Sequence, residues 1–413
     1  MVKRKPRKIS ASGLLGAVLA ECAGGSPSYN DLACCINDAD GSAPSRQAVG
    51  ERVNEDFHTF LQSLLGHVIG MKVLEDAAQC GLPAERFRGY RRVLVQDSTV
   101  IKLPGWLFAK FSGVSNGASS VCNARIQAVF DLLSGRLVAF SIDAYSRNDI
   151  AAAPELEIRE GDLVLRDRGY LTASEIQRHC DKAADFIYRH KTGTIYLDVE
   201  TQLPLDLPAL LKRHGSLDME VLLNNAAHTR VRLVAQPVDG ETANTRRMRA
   251  KKENRGHNPS KAVLELMGWT IFLTNIESAR ATFAGILAIY GLRWRIEVIF
   301  KAWKSHLKFD TVHRMSETQL MVLLKARLLL IAASTNLYRL LERAAWSLCR
   351  SRISLLKFTK HLAGKMDRLL RVLSYPTATG TERSAILATL ARYCSYDKRR
   401  KHRNFNETME MLA

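Results

Sequence analysis

The stretch RRVLVQDSTVI at residues 91–101 decides what kind of core this chain builds. Val93, Leu94 and Val95 are an unbroken aliphatic run, and such a run ending in Gln96-Asp97-Ser98-Thr99 reads as a buried strand with a polar end. The pattern returns downstream, where Leu163-Val164-Leu165 leads into Arg166-Asp167-Arg168-Gly169-Tyr170, a strand followed by a turn. Between the two, residues 124–133 and 137–144 flank Ser134-Gly135, a hairpin signal. Residues 151–157 and 171–180 read as helices, and 185–189 as another strand. Strand, hairpin, helix, strand, helix, strand argues an α/β core.

Toward the N-terminus the period changes to that of helices. Apolar residues recur at Leu14, Leu15, Val18 and Leu19, at Leu32 and Ile36, and at Phe57, Phe60, Leu61, Leu64, Leu65 and Val68. A polar break at 37–44 separates two of these helices, and Ser45 is placed to cap the next, over 46–55. A turn followed by a polar helix carrying Arg46, Gln47 and Arg52 fits helix-turn-helix DNA binding, and a plain helical bundle accounts for the same pattern. Toward the C-terminus, 194–199, 219–223 and 230–238 read as strands. A loop of extreme composition follows, with Arg246, Arg247, Arg249, Lys251, Lys252 and Arg255. Its charges suit contact with phosphates, and a solvated linker is the plainer reading. The core resumes with a strand at 269–275 and a helix over 279–307, and helices continue to about residue 392.

With 413 residues the chain has room for two or three domains. Its 46% hydrophobic and 24% charged residues exclude a disordered chain. Sixty Lys and Arg against 41 Asp and Glu leave +19, which points to a polyanionic partner, nucleic acid before membrane surface. The last 124 residues, from Tyr290, hold 24 basic and 9 acidic residues, a net of +15. No segment reads as membrane-spanning, because the most apolar stretch, 320–337, contains Lys325 and Arg327. The basic start followed by GLLGAVLA imitates a signal peptide, but the apolar run is short and Glu21 sits where cleavage wants a small residue. The eight cysteines form no CxxC pair, so reduced thiols in a cytoplasmic protein are expected and a zinc site is not.

The chemistry-bearing stretch is Tyr290 to Lys304, YGLRWRIEVIFKAWK. On one continuous helix at ~100° per residue, Tyr290, Arg293, Glu297, Lys301 and Lys304 share an arc of about 80°, opposite Leu292, Ile296, Ile299, Trp303 and Leu307. One carboxylate among cations suits a metal ligand beside phosphates, and a solvated salt-bridged face gives the same stripe. Asp97 and Asp167 each follow an aliphatic run, at the strand ends where α/β sheets build sites. Capping or turn formation is the ordinary use of such an aspartate. Asp131, Asp143, Asp149 and Asp162 are nearby rivals, and Asp162 ranks below Asp167 because it precedes its strand.

The spacing Tyr290-x2-Arg293-x3-Glu297-x6-Lys304, with Gln96-Asp97-Ser98-Thr99 and Asp167-Arg168-Gly169-Tyr170 upstream in order, resembles a known signature. It is that of the insertion-sequence-four family of bacterial DDE transposases, which includes cut-and-paste enzymes of composite transposons. The full set is specific, whereas a lone Asp-Ser-Thr is weak, and the resemblance runs from the N-terminal helices to about residue 340.

The resemblance implies an RNase H-like core interrupted by a β-strand insertion, an N-terminal helical DNA-binding domain and a helical C-terminal region. The implied boundaries are 1–75, 76–190, 191–267, 268–345 and 346–413. It implies that Asp97, Asp167 and Glu297 are a catalytic triad holding two Mg2+ ions, with Mn2+ able to substitute. Tyr290, Arg293, Lys301 and Lys304 would hold phosphates near the cleaved end, and Arg189 matches an arginine that contacts that end. Trp269, 21 residues before Tyr290, matches a tryptophan that stacks on a flipped base during hairpin formation. A core strand tryptophan and a solvated arginine remain the plain readings of Trp269 and Arg189. The implied activity is cut-and-paste transposition on double-stranded DNA, transposon ends and target, by a homodimer in the nucleoid-associated bacterial cytoplasm. A domesticated DNA-binding protein without catalysis, or another nuclease on the same fold, stands as the alternative.

Overall fold

The computed structural model describes residues 9–70, 87–113, 121–154, 156–253, 258–363, 380–397 and 407. In chain order the first elements are α1 (Ala11–Gly24), α2 (Tyr29–Asp40), α3 (Arg46–Gly50), α4 (Glu55–Gly70), β1 (Arg92–Lys102), β2 (Asn123–Asp131) and β3 (Arg136–Ala144). Next come β4 (Asp162–Arg166), α5 (Ala173–Asp181), β5 (Asp185–Arg189), β6 (Tyr196–Leu197), α6 (Leu207–His214), β7 (Leu217–Leu223) and β8 (Arg230–Pro237). Then follow α7 (Gly240–Glu253), α8 (Lys261–Leu266), β9 (Trp269–Thr274), α9 (Phe283–Gly291), α10 (Trp294–His306) and α11 (Glu317–Cys349). The described residues fall into two compact units, one within Met1–Gly81, Ser98–Pro154 and Trp294–Glu407, the other within Leu82–Asp97 and Glu155–Arg293.

In the first unit the N-terminal helices pack on α11, chiefly through α4 and α1. Ser28 starts α2 with a capping box to Asp31, and Ser45 accepts a hydrogen bond from the Ala48 N–H to start α3. Ser45 is thus the expected cap, but the helix ends at Gly50 instead of running to residue 55. An added Cβ at Gly50 would lie 2.9 Å from the Tyr29 ring, so α2 is packed against the end of that short helix. The 33-residue α11 is long and apolar enough by composition to cross a membrane, and its most apolar window is 67% buried inside the protein. Arg327, 1% exposed, lies in that window and donates to the carbonyls of Gly25, Phe309 and Thr311. Its charge is therefore spent within the protein on the turns that flank α2 and α11. Strands β3, β2 and the C-terminal part of β1 lie in that order, β2 and β3 as an antiparallel hairpin. The Asp131 carboxylate accepts the Leu133 and Ser134 N–H groups at its turn, where Gly135 takes φ +64°. Helix α10 buries Ile296, Ile299, Phe300 and Trp303, the last against Phe140 of β3 at 5.8 Å between ring centres. Each such side chain contributes roughly 1.5–3 kcal/mol by leaving water.

In the second unit the order is β1 (its N-terminal part), β4, β5, β9, β8, β7, β6. β1, β4 and β5 are parallel, and the remaining neighbours are antiparallel. All five residues of β4 are buried, as a central parallel strand requires. The strands expected as an insertion, β6 to β8, continue the same sheet through β9. The 194–199 strand is only Tyr196–Leu197, and the described residues of 151–157 form no helix. The Asn148 side chain instead accepts the Ala151 N–H in a turn.

Two further expectations are corrected. The charged segment at 246–253 is helix, not loop, because α7 runs Gly240–Glu253 and tethers itself through Arg246 and Arg247. The helix expected over 279–307 is two helices, with the chain turning at Leu292 and Arg293 between α9 and α10. The basic segments 3–8 and 398–403, and Arg255, lie outside the described residues.

Two histidines, His179 buried and His190 half-buried, sit beside tyrosine hydroxyls. His179 Nε2 lies 2.8 Å from the Tyr188 hydroxyl and His190 Nδ1 2.7 Å from that of Tyr196. Burial, then the charges of Arg166 and Arg178, push His179 down to about 3, and burial pushes His190 to about 4. The unfolded chain, with histidines near 6.5, therefore binds protons first, and stability is lost as pH falls below about 6.5 toward 4. The denaturant midpoint should fall across that window and fall less in a His179→Gln/His190→Gln variant. A double variant with the parent's pH slope would overturn this assignment.

Candidate active site

The β1–β4 ladder ends with Gln96 opposite Arg166, and the β4–β5 ladder ends with Arg166 opposite Tyr188. The next residues of the three strands, Asp97, Asp167 and Arg189, therefore stand at one level, and β9 adds Phe272 opposite Arg189. Parallel neighbours are ~4.8 Å apart and side chains alternate, so this row presents its side chains on one face. Asp97 is not the end of its strand, since β1 continues to Lys102, but it is the first residue past the pairing with β4.

The turn after α9 puts two further side chains onto the row. Tyr290 donates its hydroxyl to Asp167 Oδ1 at 3.2 Å, and Arg293 Nη1 donates to Asp97 Oδ2 at 2.8 Å. Tyr290, before the break at Leu292 and Arg293, and Arg293, within it, reach different aspartates. Phe272 packs on the Tyr290 ring at 4.8 Å, and the Arg293 guanidinium lies 5.7 Å from the same ring. Burial, then the Asp167 charge, raise the Tyr290 pKa, so the phenol stays a hydrogen-bond donor. Phe272 was missed in the sequence, where its strand was legible but its register was not.

The remaining predicted residues divide as follows. Glu297 and Lys304 are half-buried on α10 in the first unit, where Lys301 is exposed. Lys304 Nζ donates to the Val100 carbonyl at 2.7 Å, so it is tied to β1. Trp269 opens β9 and lines a pocket of about 310 Å3 with Pro208, Lys212, Ala243 and Arg247. By strand alternation it faces away from the side shared by Thr270 and Phe272. Arg246 donates to the Trp269 carbonyl, and Arg247 to that of Leu264. Arg249, Lys251 and Lys252 are exposed, Arg249 paired with Glu253 at 2.7 Å.

The rival acids have structural partners. Asp162 is fully buried against Arg92, Asp131 closes the hairpin, Asp143 pairs with Arg147, and Asp149 takes Arg125 and the Ser98 hydroxyl. Among the described residues no three His, Cys, Asp or Glu side chains group closely enough to hold one metal ion. The Asp97–Asp167 pair fits Mg2+ all the same, because that ion takes one or two carboxylates and fills its remaining positions with water and substrate phosphate.

Fold and site together define an α/β protein with paired carboxylates, crossed by an arginine and a tyrosine, at the carboxyl ends of parallel strands. The sequence profile described as Transposase DDE domain matches residues 88–333, more than half of the chain, and the chain belongs to that family. It is similar to the transposase for insertion sequence element IS231E of Bacillus thuringiensis subsp. finitimus, 24% identical over 64% of this chain and 59% of that protein. It is also similar to the transposase for insertion sequence element IS231B of Bacillus thuringiensis subsp. berliner, 25% identical over 74% of this chain and 68% of that protein. The chain thus spans about three fifths of the length of the first of these relatives. Among solved structures, a cryo-EM structure of the piggyBac transposase synaptic complex with hairpin DNA aligns with a TM-score of 0.41 and 11% identity, over 93% of this chain and 78% of that one.

Proposed function

We propose that this protein is a cut-and-paste insertion-sequence transposase that cleaves DNA at its element's ends and joins them to a target. The observation that carries the reading is the row in which Asp97 and Asp167 stand at one strand level, held by Arg293 and Tyr290. An RNase H-like core is supported by an antiparallel hairpin, β2–β3, followed in the chain by the parallel β4 and β5. β6 to β8 are then the insertion.

In this reading Asp97, Asp167 and Glu297 would hold two Mg2+ ions, which would supply activation of the attacking water or 3′-hydroxyl and charge stabilisation of the leaving oxygen in an in-line displacement. Arg293 and Tyr290 then orient the scissile phosphate, with Lys301 and Lys304 on the flanking phosphates. Water opens one strand, and the freed 3′-hydroxyl attacks the opposite strand to give a hairpin, which is reopened before joining to target. Arg189 contacts the end, and Trp269 stacks on the extruded base, which offsets part of the unstacking cost. The N-terminal helices bind the terminal repeats, and the cations of α7 add salt-dependent attraction to duplex DNA. Two protomers bridge two ends, in the bacterial cytoplasm.

The test is incubation with linear DNA carrying the element's flanking ends, with and without Mg2+. Metal-dependent cleavage at the ends is expected, and none by the parent protein refutes the reading. Trp269→Ala should lower hairpin formation roughly tenfold, from a stacking contribution of about 1–3 kcal/mol, and spare first-strand nicking. Equal loss of both steps would count against base stacking.

A further inference from the structure

Arg246 stands apart from the other cations of α7. Its guanidinium is half-buried and anchored twice, to the Trp269 carbonyl at 2.9 Å and the Thr270 hydroxyl at 3.3 Å. Thr270 shares a face of β9 with Phe272, which is the register partner of Arg189. Arg246 therefore reaches, from the insertion helix, the same face and the same sheet end as Arg189. The two are close enough that, after burial, the charge of Arg189 lowers the Arg246 pKa, while Asp239 opposes this. Two guanidinium groups on one face repel each other and an anion held between them relieves that repulsion, and a guanidinium pair matches a phosphodiester in charge and donor geometry.

We propose that Arg189 and Arg246 form a two-guanidinium site for a single backbone phosphate of the bound DNA strand, with Arg246 positioned by Trp269 and Thr270. The proposal rests on the DNA-cleaving reading above and separates Arg246 from Arg249, Lys251 and Lys252. Those exposed cations lie along the outside of α7 and suit sequence-blind contact. Arg246 instead serves one phosphate at the chemical end of the sheet.

The probe is a duplex cut from the DNA flanking the coding sequence, with single phosphates replaced one at a time by neutral methylphosphonates. With the parent protein, one position should weaken binding about tenfold. At that position Arg246→Ala and Arg189→Ala should show no further loss, and the double variant should bind no worse than the weaker single one. Arg246→Lys, which keeps the charge and loses the fork, should be intermediate and covers the case in which Arg246→Ala does not fold. Arg249→Ala should weaken end DNA and unrelated DNA alike, two- to threefold, with the methylphosphonate effect intact. A parent protein that binds no end DNA refutes the general reading. A parent that binds, with the methylphosphonate effect undiminished in Arg246→Ala or Arg246→Lys, refutes this inference alone.

Discussion

Replacing Asp97 or Asp167 with alanine should abolish metal-dependent DNA cleavage, a loss on the order of a thousandfold or more, and leave the fold standing. Both side chains are only half-buried and lie one residue past the last ladder pair, so the core does not depend on them. Their neighbours show what they offer instead. Asp97 takes the Arg293 guanidinium and Asp167 the hydroxyl of Tyr290, whose ring lies 5.7 Å from that guanidinium. Losing one carboxylate from a metal site removes several kcal/mol of charge stabilisation in the transition state, and each 1.36 kcal/mol is a factor of ten. Asp97→Asn and Asp167→Asn should fail similarly, since the amide keeps the shape and loses the charge. Glu297→Ala should join them, Glu297 being the third ligand in the proposed reading. The measurement is strand cleavage in Mg2+ and in Mn2+ beside a thermal unfolding curve. A folded alanine variant of either aspartate that cleaves within tenfold of the parent would sink the assignment.

How far this site was readable follows from particular residues. Val93-Leu94-Val95-Gln96-Asp97 and Leu163-Val164-Leu165-Arg166-Asp167 have the same offset from aliphatic run to aspartate. Parallel pairing of two such strands brings the aspartates level, so their kinship was legible before any contact was known. Their partners were partly legible. Tyr290 and Arg293 stood out by spacing, but they reach different aspartates, Tyr290 from before the helix break and Arg293 from within it. Apolar residues continue at helical spacing through Leu292 and Ile296, and Gly291 was the single hint of the break. Helix α7 reads as a loop because its run of cations leads into Gly256, Asn258 and Pro259. What stabilises it is tertiary: the Arg246 bond to a β9 carbonyl, the Arg247 bond to the Leu264 carbonyl, and the local Arg249–Glu253 pair. The closing of the hairpin by Asp131, and the Arg125–Asp149 pair, likewise depend on which strands meet.

Asp162, at the start of β4, is the sharpest contrast to Asp167, just past its end, and it should behave in the opposite way. It is 0% exposed, accepts Arg92 Nε at 2.8 Å and Nη2 at 2.6 Å, and accepts the Arg159 N–H at 2.8 Å. Arg92 is also its register partner at the start of the β1–β4 ladder, so this fork holds the two strands in the alignment that levels Asp97 with Asp167. Removing the carboxylate takes the charged partner from a largely buried guanidinium, which keeps its bond to the Glu157 carbonyl, and orphans the Arg159 N–H. Breaking a buried pair costs about 3–5 kcal/mol. The lower end applies, because the Arg92 side chain keeps 19% exposure and part of its hydration. Asp162→Ala should therefore lower the denaturant midpoint by an amount equivalent to about 3 kcal/mol. Asp162→Asn should fall between, since it keeps an acceptor and loses the charge. At a temperature where it remains folded, Asp162→Ala should still cleave, whereas Asp167→Ala should be as stable as the parent and inert. A midpoint unchanged in Asp162→Ala, or a folded Asp162→Ala as inactive as Asp167→Ala, would reverse the roles given to the two aspartates.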